Sequence, residues 1–299
     1  MTCYHPLEAY RFGTFNKETG KWKPTFRKSE AHFFGNPELD YIRLPCGQCV
    51  GCRLERSRQW AIRCVNEAQL HERNCFITLT YDDEHLPSDG SVHVDHFQKF
   101  MKRLRKKFGS GIRFFHCGEY GELNNRPHYH AILFGFDFPD KYYWSISAGY
   151  RLYRSLVLEQ LWPYGISIIG DVTFESAAYV ARYVMKKVNG EQAEEHYQGR
   201  KPEYITMSRR PGIGYDWLMQ YHQDVYPNDY IVLRDGIKCR PPKFYDRIWD
   251  IVDKPTMDVI RHRRAKNMKK YADNNTYQRL DVREQCKIAQ LSRLRRDKV

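Results

Sequence analysis

The sequence has no stretch of about 18 consecutive apolar residues, and its first residues show no basic segment leading into an apolar core and a small-residue cleavage site. The expectation is a chain that neither spans a membrane nor is secreted by a recognisable signal. The phosphate-cradling pattern G-x-x-x-x-G-K-[ST] is missing throughout, which leaves no P-loop for nucleotide hydrolysis. Internal repeats and low-complexity tracts are missing too. The nine cysteines are an odd number in a chain without a secretory signal. That pattern favours free thiols and metal ligands over a disulfide framework.

What the chain does contain is aromatic and basic. Aromatic residues make up 15% and hydrophobic residues 41% of its 299 positions, enough to bury a core in one large domain or two smaller ones. The formal net charge is +13. From Arg261 to Val299, 13 Lys and Arg stand against 4 Asp and Glu, so this tail carries +9 of the excess. Excess positive charge draws polyanions, nucleic acid foremost. A single charge run more often only keeps a surface solvated, but the aromatic content and the basic residues elsewhere favour nucleic acid.

Along the chain, residues 53–73 set Ala61, Cys64, Val65 and Ala68 at helical spacing. Phe76-Ile-Thr-Leu-Thr-Tyr81 reads as a strand. A helix follows that Asp95 caps and Gly109 ends, with Phe97, Phe100, Met101, Leu104 and Phe108 on one face. Next come a β-hairpin between Phe114 and Phe136, a helix over 155–162, a strand over 166–172 and a helix over 176–188 with Ser176 as its N-cap. The order β-α-β-β-α-β over 75–175 predicts an α+β fold of the ferredoxin-like, split β-α-β kind: four antiparallel strands with the helices on one face. Its third strand, His128–Phe136, then lies inside the sheet beside the first. Four segments are expected: a cysteine-containing N-terminal segment (1–70), the α+β core (71–190), an aromatic and basic extension (191–260) and the basic tail (261–299).

The chemistry centres on the hairpin. Strand side chains alternate between faces, so His128 and His130 project together and Tyr129 the other way. Two imidazoles on one strand face form half of a metal site. Inside a sheet they are costly unless liganded or hydrogen-bonded. If the hairpin closes symmetrically about Asn124-Asn125, Glu119 falls opposite His130 and adds an oxygen ligand. On the helix that starts at Ser176, Ala177, Val180, Ala181, Val184 and Val188 form one apolar stripe. Tyr179 and Tyr183 sit roughly opposite it, one turn apart, flanked by Arg182, Lys186 and Lys187. A lone tyrosine usually packs through its ring, but this helix already has a core face. A phenol attacks phosphate well when neighbouring cations stabilise the charge. A divalent ion that polarises a phosphodiester beside such a pair points to a covalent phosphotyrosine link. That link keeps the bond energy for rejoining without ATP.

Phe76-Ile-Thr-Leu-Thr-Tyr81, Arg126-Pro-His-Tyr-His-Ala131 and Tyr179-Val-Ala-Arg-Tyr183 together resemble, in order, the three motifs of HUH-type rolling-circle replication initiators. The likeness is to the initiators of microviruses, small phages with circular single-stranded DNA, and among them to the gokushovirus branch. Pro45-Cys-Gly-Gln-Cys-Val-Gly-Cys52, Gly118-Glu-Tyr-Gly121 and Met207-Ser-Arg-Arg-Pro-Gly-Ile-Gly214 share it, so it covers most of the chain from Cys46 to Gly214. The resemblance implies an HUH endonuclease fold, His128 and His130 as ligands of magnesium (Mg2+) or manganese (Mn2+), and Tyr179 and Tyr183 as nucleophiles. It implies nicking of the viral strand at the origin, with the protein kept on the 5′ phosphate and a 3′ hydroxyl left as primer. The implied partners are single-stranded DNA, origin duplex DNA and a host helicase, polymerase and single-strand-binding protein, in the cytoplasm of the bacterial host. Without a P-loop, unwinding must come from such a partner. Related two-tyrosine initiators often carry lysine between the tyrosines, where Arg182 stands here. Arginine stabilises phosphate charge but donates a proton poorly, so any acid role moves to Lys186 or Lys187.

Cys46-x2-Cys49-x2-Cys52 is a second possible metal group, which Cys3 or His5 would complete as a tetrahedral zinc (Zn2+) set. The same spacing occurs in iron–sulfur ligation, and three reduced thiols in a turn are the plain alternative. Other readings are another HUH nuclease (a plasmid initiator, relaxase or transposase) and a non-enzymatic single-stranded DNA-binding protein. The tyrosine pair argues against the single-tyrosine transposases, and a pure binding protein has no use for it. A cupin would need a glutamate soon after H-x-H, and residues 131–136 offer none.

Overall fold

The computed structural model describes residues 3–17, 21–36, 40–121, 124–147, 149–182 and 192–293. The chain divides into two units: residues up to Glu55 together with those from Lys266 onward, and Arg56–Ala265.

In the first unit, β1 (Leu7–Asn16), β2 (Lys21–Thr25) and β3 (Tyr41–Leu44) form an antiparallel sheet in the order β2-β1-β3. The rest of the chain runs on through α1 (Val50–Gln69), β4 (Asn74–Thr80), α2 (Val94–Phe108), β5 (Arg113–Tyr120), β6 (Pro127–Phe134), β7 (Tyr142–Ser147) and β8 (Tyr150–Arg154). Then come α3 (Leu156–Leu161), β9 (Ser167–Gly170), α4 (Phe174–Arg182), α5 (Gln192–Tyr197) and β10 (Tyr204–Met207). The remaining elements are α6 (Tyr215–Val225), the short pair β11 (Ile231–Val232) and β12 (Lys238–Cys239), α7 (Lys243–Val252), α8 (Lys254–Lys269) and α9 (Tyr277–Arg293). None of the described helices is long and apolar enough to cross a membrane.

The second unit is built on one seven-stranded antiparallel sheet, ordered β10-β5-β6-β4-β9-β8-β7. The class is α+β, as expected, and β6 lies inside the sheet between β5 and β4. Strand β4 is buried at every second residue, Cys75, Ile77 and Leu79, which sets one face against the apolar side of α2. There Phe97, Phe100, Met101 and Leu104 meet Tyr129, Ala131 and Leu133 of β6 and Leu158 of α3. The alternate residues of β6, Ile132 and Phe134, pack with Phe115 and Cys117 of β5 against Ala61 and Cys64 of α1 and Ala177, Val180 and Ala181 of α4. Helices therefore cover both faces, not one. The two crossover helices α2 and α3 do share a face, but the strands are apolar on the other side as well, and that side needs its own cover.

Two expected caps are corrected. His93, not Asp95, precedes α2, and Asp95 lies in its first turn beside Lys99 at 2.8 Å. Gly109 ends that helix as expected, with φ +103°. Ser176 lies inside α4. Thr173 Oγ1 accepts from the Ser176 N–H at 3.1 Å, and Ser176 Oγ accepts from the Thr173 N–H at 2.8 Å, a reciprocal cap.

A third cluster joins Ile62 of α1 to Leu218, Tyr245, Trp249, Met257 and Ile260 of α6, α7 and α8. Arg264 closes it, with Nε on Asp229 at 3.1 Å and Nη1 on Asp246 at 2.7 Å, all three side chains mostly shielded from water. Removing the guanidinium strands two carboxylates. Arg264→Ala should lower stability in a urea titration by about 3 kcal/mol, whereas Arg263→Ala, which loses one contact to the Pro227 carbonyl, should cost under about 1 kcal/mol.

Candidate metal centre and nucleophile

Pairing in the β5–β6 hairpin sets Glu119 opposite His128 and Cys117 opposite His130. The sequence predicts His130 as the partner of Glu119. The observed register is shifted by two residues, so Glu119 stays on the same face and reaches both rings: its Oε1 lies 3.0 Å from His128 Nε2 and 2.9 Å from His130 Nε2. Glu119 and His130 are buried and His128 is half-buried. The ligand atoms of all three lie within 4.8 Å of one another.

Neighbouring strands fix the rings. Arg126 donates from Nε to the Tyr81 carbonyl at 3.1 Å and from Nη2 to Asp83 at 2.6 Å, tying the hairpin turn to the end of β4. The carbonyl of Arg126 then accepts from His128 Nδ1 at 3.0 Å. Thr78, paired with His130 across β4 and β6, holds His130 Nδ1 at 2.9 Å through its hydroxyl. Both rings thus spend Nδ1 on the protein and turn Nε2 towards the carboxylate. With Nδ1–H committed to a carbonyl, neutral His128 faces the Glu119 oxygen with a lone pair, and such a pair of acceptors needs a proton or a cation between them. Burial pushes the Glu119 carboxyl up, but hydrogen bonds from His128 and His130 outweigh it and hold the pKa at about 2. Two oriented imidazole nitrogens and an ionised carboxylate form the three-ligand set of an open metal site. The donor chemistry therefore fits a divalent ion.

Helix α4 lies over this face. Ser57 of α1 donates to the Ala178 carbonyl at 3.0 Å, and Ala177, Val180 and Ala181 are buried as the stripe required. Tyr179 is not turned away from the sheet. Its ring is half-buried, edge-on to His130 at 5.0 Å between centroids and to Phe76 at 6.4 Å. The structure thus brings Tyr179, His128, His130 and Glu119 to one place. Tyr183, Lys186 and Lys187 lie outside the described residues, and Arg182 is described only as the last residue of α4.

Several supports leave little mark in the sequence. Thr78 is visible there only as the alternate residue of an apolar strand. The hairpin β7–β8, with exposed Tyr143, Trp144 and Ile146, is signalled by aromatics on either side of Gly149, which turns at φ +83°. Strand β10 pairs with β5 and lays Tyr204 across Gly118, where a Cβ would come within 2.7 Å of the ring. That approach accounts for a glycine beside Glu119.

The opposite face of β5 carries His116, fully buried, stacked on Phe97 at 3.4 Å and bonded through Nδ1 to Thr206 Oγ1 at 2.9 Å. Burial, and then the charge of His130, push its pKa well below the usual range. The folded chain therefore leaves His116 neutral where the unfolded chain takes up a proton. Stability should fall as pH drops below about 6.5, by about 2 kcal/mol at pH 5. Urea titrations of wild type and His116→Phe should differ in slope over that window, since the unbonded Thr206 hydroxyl of the variant costs the same at every pH.

The four cysteines of the N-terminal segment also converge. Cys3, Cys46, Cys49 and Cys52 bring their sulfurs within 4.8 Å of one another. His5, the other candidate for the fourth place, is instead bonded to Glu284 of α9.

Residues 74–188 match a family model described as replication-associated protein, of the ORF2 type. The chain is similar to the replication-associated protein VP4 of Bdellovibrio phage phiMH2K, with 37% identity over 218 residues, 70% of this chain and 68% of that protein. It is 34% identical over 292 residues to the replication-associated protein ORF2 of Spiroplasma virus 4, covering 90% of this chain and 88% of that protein. With the replication-associated protein ORF4 of Chlamydia phage 1 it shares 34% identity over 212 residues, 68% and 52% of the two chains. No solved structure matches.

Proposed function

Since this chain belongs to the replication-associated proteins of microvirus-type phages, we propose that it starts viral DNA replication by nicking one strand at the origin through a tyrosine–DNA bond. The observation that carries this reading is Tyr179 edge-on to His130, on the sheet face that holds Glu119 and His128. The strand order β5-β6-β4-β9 supports it too, being that of a split β-α-β core as HUH endonucleases have it.

In this reaction the Tyr179 oxygen attacks phosphorus, the bond from phosphorus to O3′ breaks, and the phenolic proton is lost while the leaving O3′ gains one. The protein stays on the 5′ phosphate, and the free 3′ hydroxyl primes synthesis. A magnesium or manganese ion held by Glu119, His128 and His130 would supply positive charge to the scissile phosphate. Thr78 and the Arg126 carbonyl keep both imidazoles in the ligating tautomer. Tyr183 serves as the second nucleophile for rejoining, Arg182 stabilises phosphate charge, and Lys186 or Lys187 donates the proton to O3′. Residues 71–190 act as the nuclease core, and the basic tail from 261 onward adds attraction to DNA of any sequence. Unwinding falls to a host helicase, followed by polymerase and single-strand-binding protein.

The test incubates the protein with single-stranded origin DNA and manganese and resolves the products on a denaturing gel. A protein–DNA adduct that survives denaturation is expected, and its absence overturns the proposal.

A further inference from the structure

The cysteine group lies in the first unit and is independent of the nuclease reading. Cys3 precedes β1, Cys46 and Cys49 occupy the turn after β3, and Cys52 sits in the first turn of α1. Four places in the sequence are thus gathered at one point. The Cys3 sulfur lies 3.6 Å from that of Cys46 and 4.0 Å from that of Cys49. These separations are far too long for a disulfide, and all four cysteines are free. A zinc ion with four thiolates at about 2.3 Å has sulfur–sulfur edges of about 3.8 Å, which the two distances bracket.

The backbone is arranged for negative sulfur. The N–H of Tyr4 points at Cys49 at 3.3 Å and that of Cys46 at Cys3 at 3.3 Å. Those of Gln48 and Cys49 point at Cys46 at 3.4 and 3.3 Å. Thiols accept hydrogen bonds weakly, whereas thiolates neutralised by a dication gain from such donors.

The unit also needs a staple. Its buried apolar residues among those described are few: Cys3, Pro6, Ala9, Cys49 and Leu280. Its other ties are polar and exposed, such as Tyr277 of α9 on Glu8 at 2.6 Å and Arg43 on the Asn275 carbonyl at 3.3 Å. So small a core does not hold three short strands and a helix by burial alone.

We infer that Cys3, Cys46, Cys49 and Cys52 form a closed tetrathiolate site for one structural zinc ion, which fastens the start of β1 and the β3–α1 turn to the first turn of α1. Because the protein supplies all four ligands, no position remains for water or substrate, and the site is not catalytic. His5, two residues beyond Cys3, extends the anchored segment to α9 through Glu284.

The full chain, purified from zinc-supplemented cells, should carry one zinc per chain by elemental analysis and no stoichiometric iron. Cys46→Ser and Cys49→Ser should each reduce bound zinc at least tenfold, while Cys286→Ser and His128→Ala keep it. Cobalt exchanged into the wild-type protein should give the intense red-region bands of tetrahedral cobalt together with thiolate charge transfer, a readout that does not depend on the variants folding. On chelation, hydrogen exchange should quicken in β1, β3 and α9. A weak octahedral cobalt spectrum, iron in place of zinc, or zinc that leaves with His128 and not with Cys49 would each overturn the inference.

Discussion

Replacing Tyr179 and Tyr183 together by phenylalanine should abolish the covalent protein–DNA adduct while leaving the fold and DNA binding intact. Phenylalanine keeps the ring that packs edge-on to His130 and Phe76 and removes only the hydroxyl, so no cavity opens beneath α4. What is lost is the nucleophile itself, whose removal in enzymes that use one lowers turnover by on the order of 10⁴-fold or more. Single variants separate the two hydroxyls. Tyr179→Phe alone should stop the first cleavage if the tyrosine beside His130 acts first, and leave an adduct through Tyr183 if the two alternate. The adduct is scored on a denaturing gel and binding by fluorescence anisotropy of a labelled single strand. An undiminished adduct in the double variant would sink the mechanism, and binding lost along with the adduct would show only that the variant misfolds. A further control is Phe76→Leu. It disturbs the ring packing without touching a hydroxyl, and should slow adduct formation without stopping it.

The same face shows how much of the site is legible without the fold. His128 and His130 stand out because polar rings are costly in a strand that is otherwise apolar on both sides, and β6 does lie inside the sheet. Glu119 follows from a hairpin taken to close about Asn124-Asn125. The pairing is centred one residue earlier, which moves the register by two and leaves the face unchanged. The identity of the third carboxylate is therefore robust to an error in its partner. The orientation of Tyr179 is not. Angular position on a helix puts it away from the stripe of Ala177 and Val180, but a phenol ring is long enough to reach round the flank of a helix lying flat on a sheet. Strand β10 is out of reach for another reason. It has four residues and pairs with a strand some 90 positions earlier, and no periodicity in so short a segment announces such a partner. Cover on the second face is hidden in the same way, because α1 precedes the β-α-β-β-α-β string and α4 follows it. The fourth sulfur, Cys3, sits 43 residues from Cys46, and only the pairing of β1 with β3 brings them together.

His128→Ala should remove metal-dependent cleavage and spare both stability and DNA binding. Of the three ligands His128 is the least buried, and its single tie to the protein outside the group is to the Arg126 carbonyl, at the turn. Truncating it opens little core. By contrast, His130→Ala would leave a hole between Thr78, Phe76 and Tyr179, and any loss of activity there would be confounded with loss of structure. Removing even an outer-shell partner of a metal ligand commonly costs 10- to 100-fold in affinity, so losing a ligand should shift the manganese dependence of adduct formation by at least about 100-fold. Glu119→Gln is the complementary test. It keeps the shape of the side chain but replaces an ionised oxygen, so it should weaken manganese binding by calorimetry with little change in the unfolding midpoint at neutral pH. Both variants should bind a single-stranded origin oligonucleotide with the wild-type salt dependence, because phosphate contacts made by Lys and Arg set that slope. A manganese titration of adduct formation that runs the same in His128→Ala as in wild type would mean that the ion acts elsewhere and that the Glu119–His128–His130 group has another task.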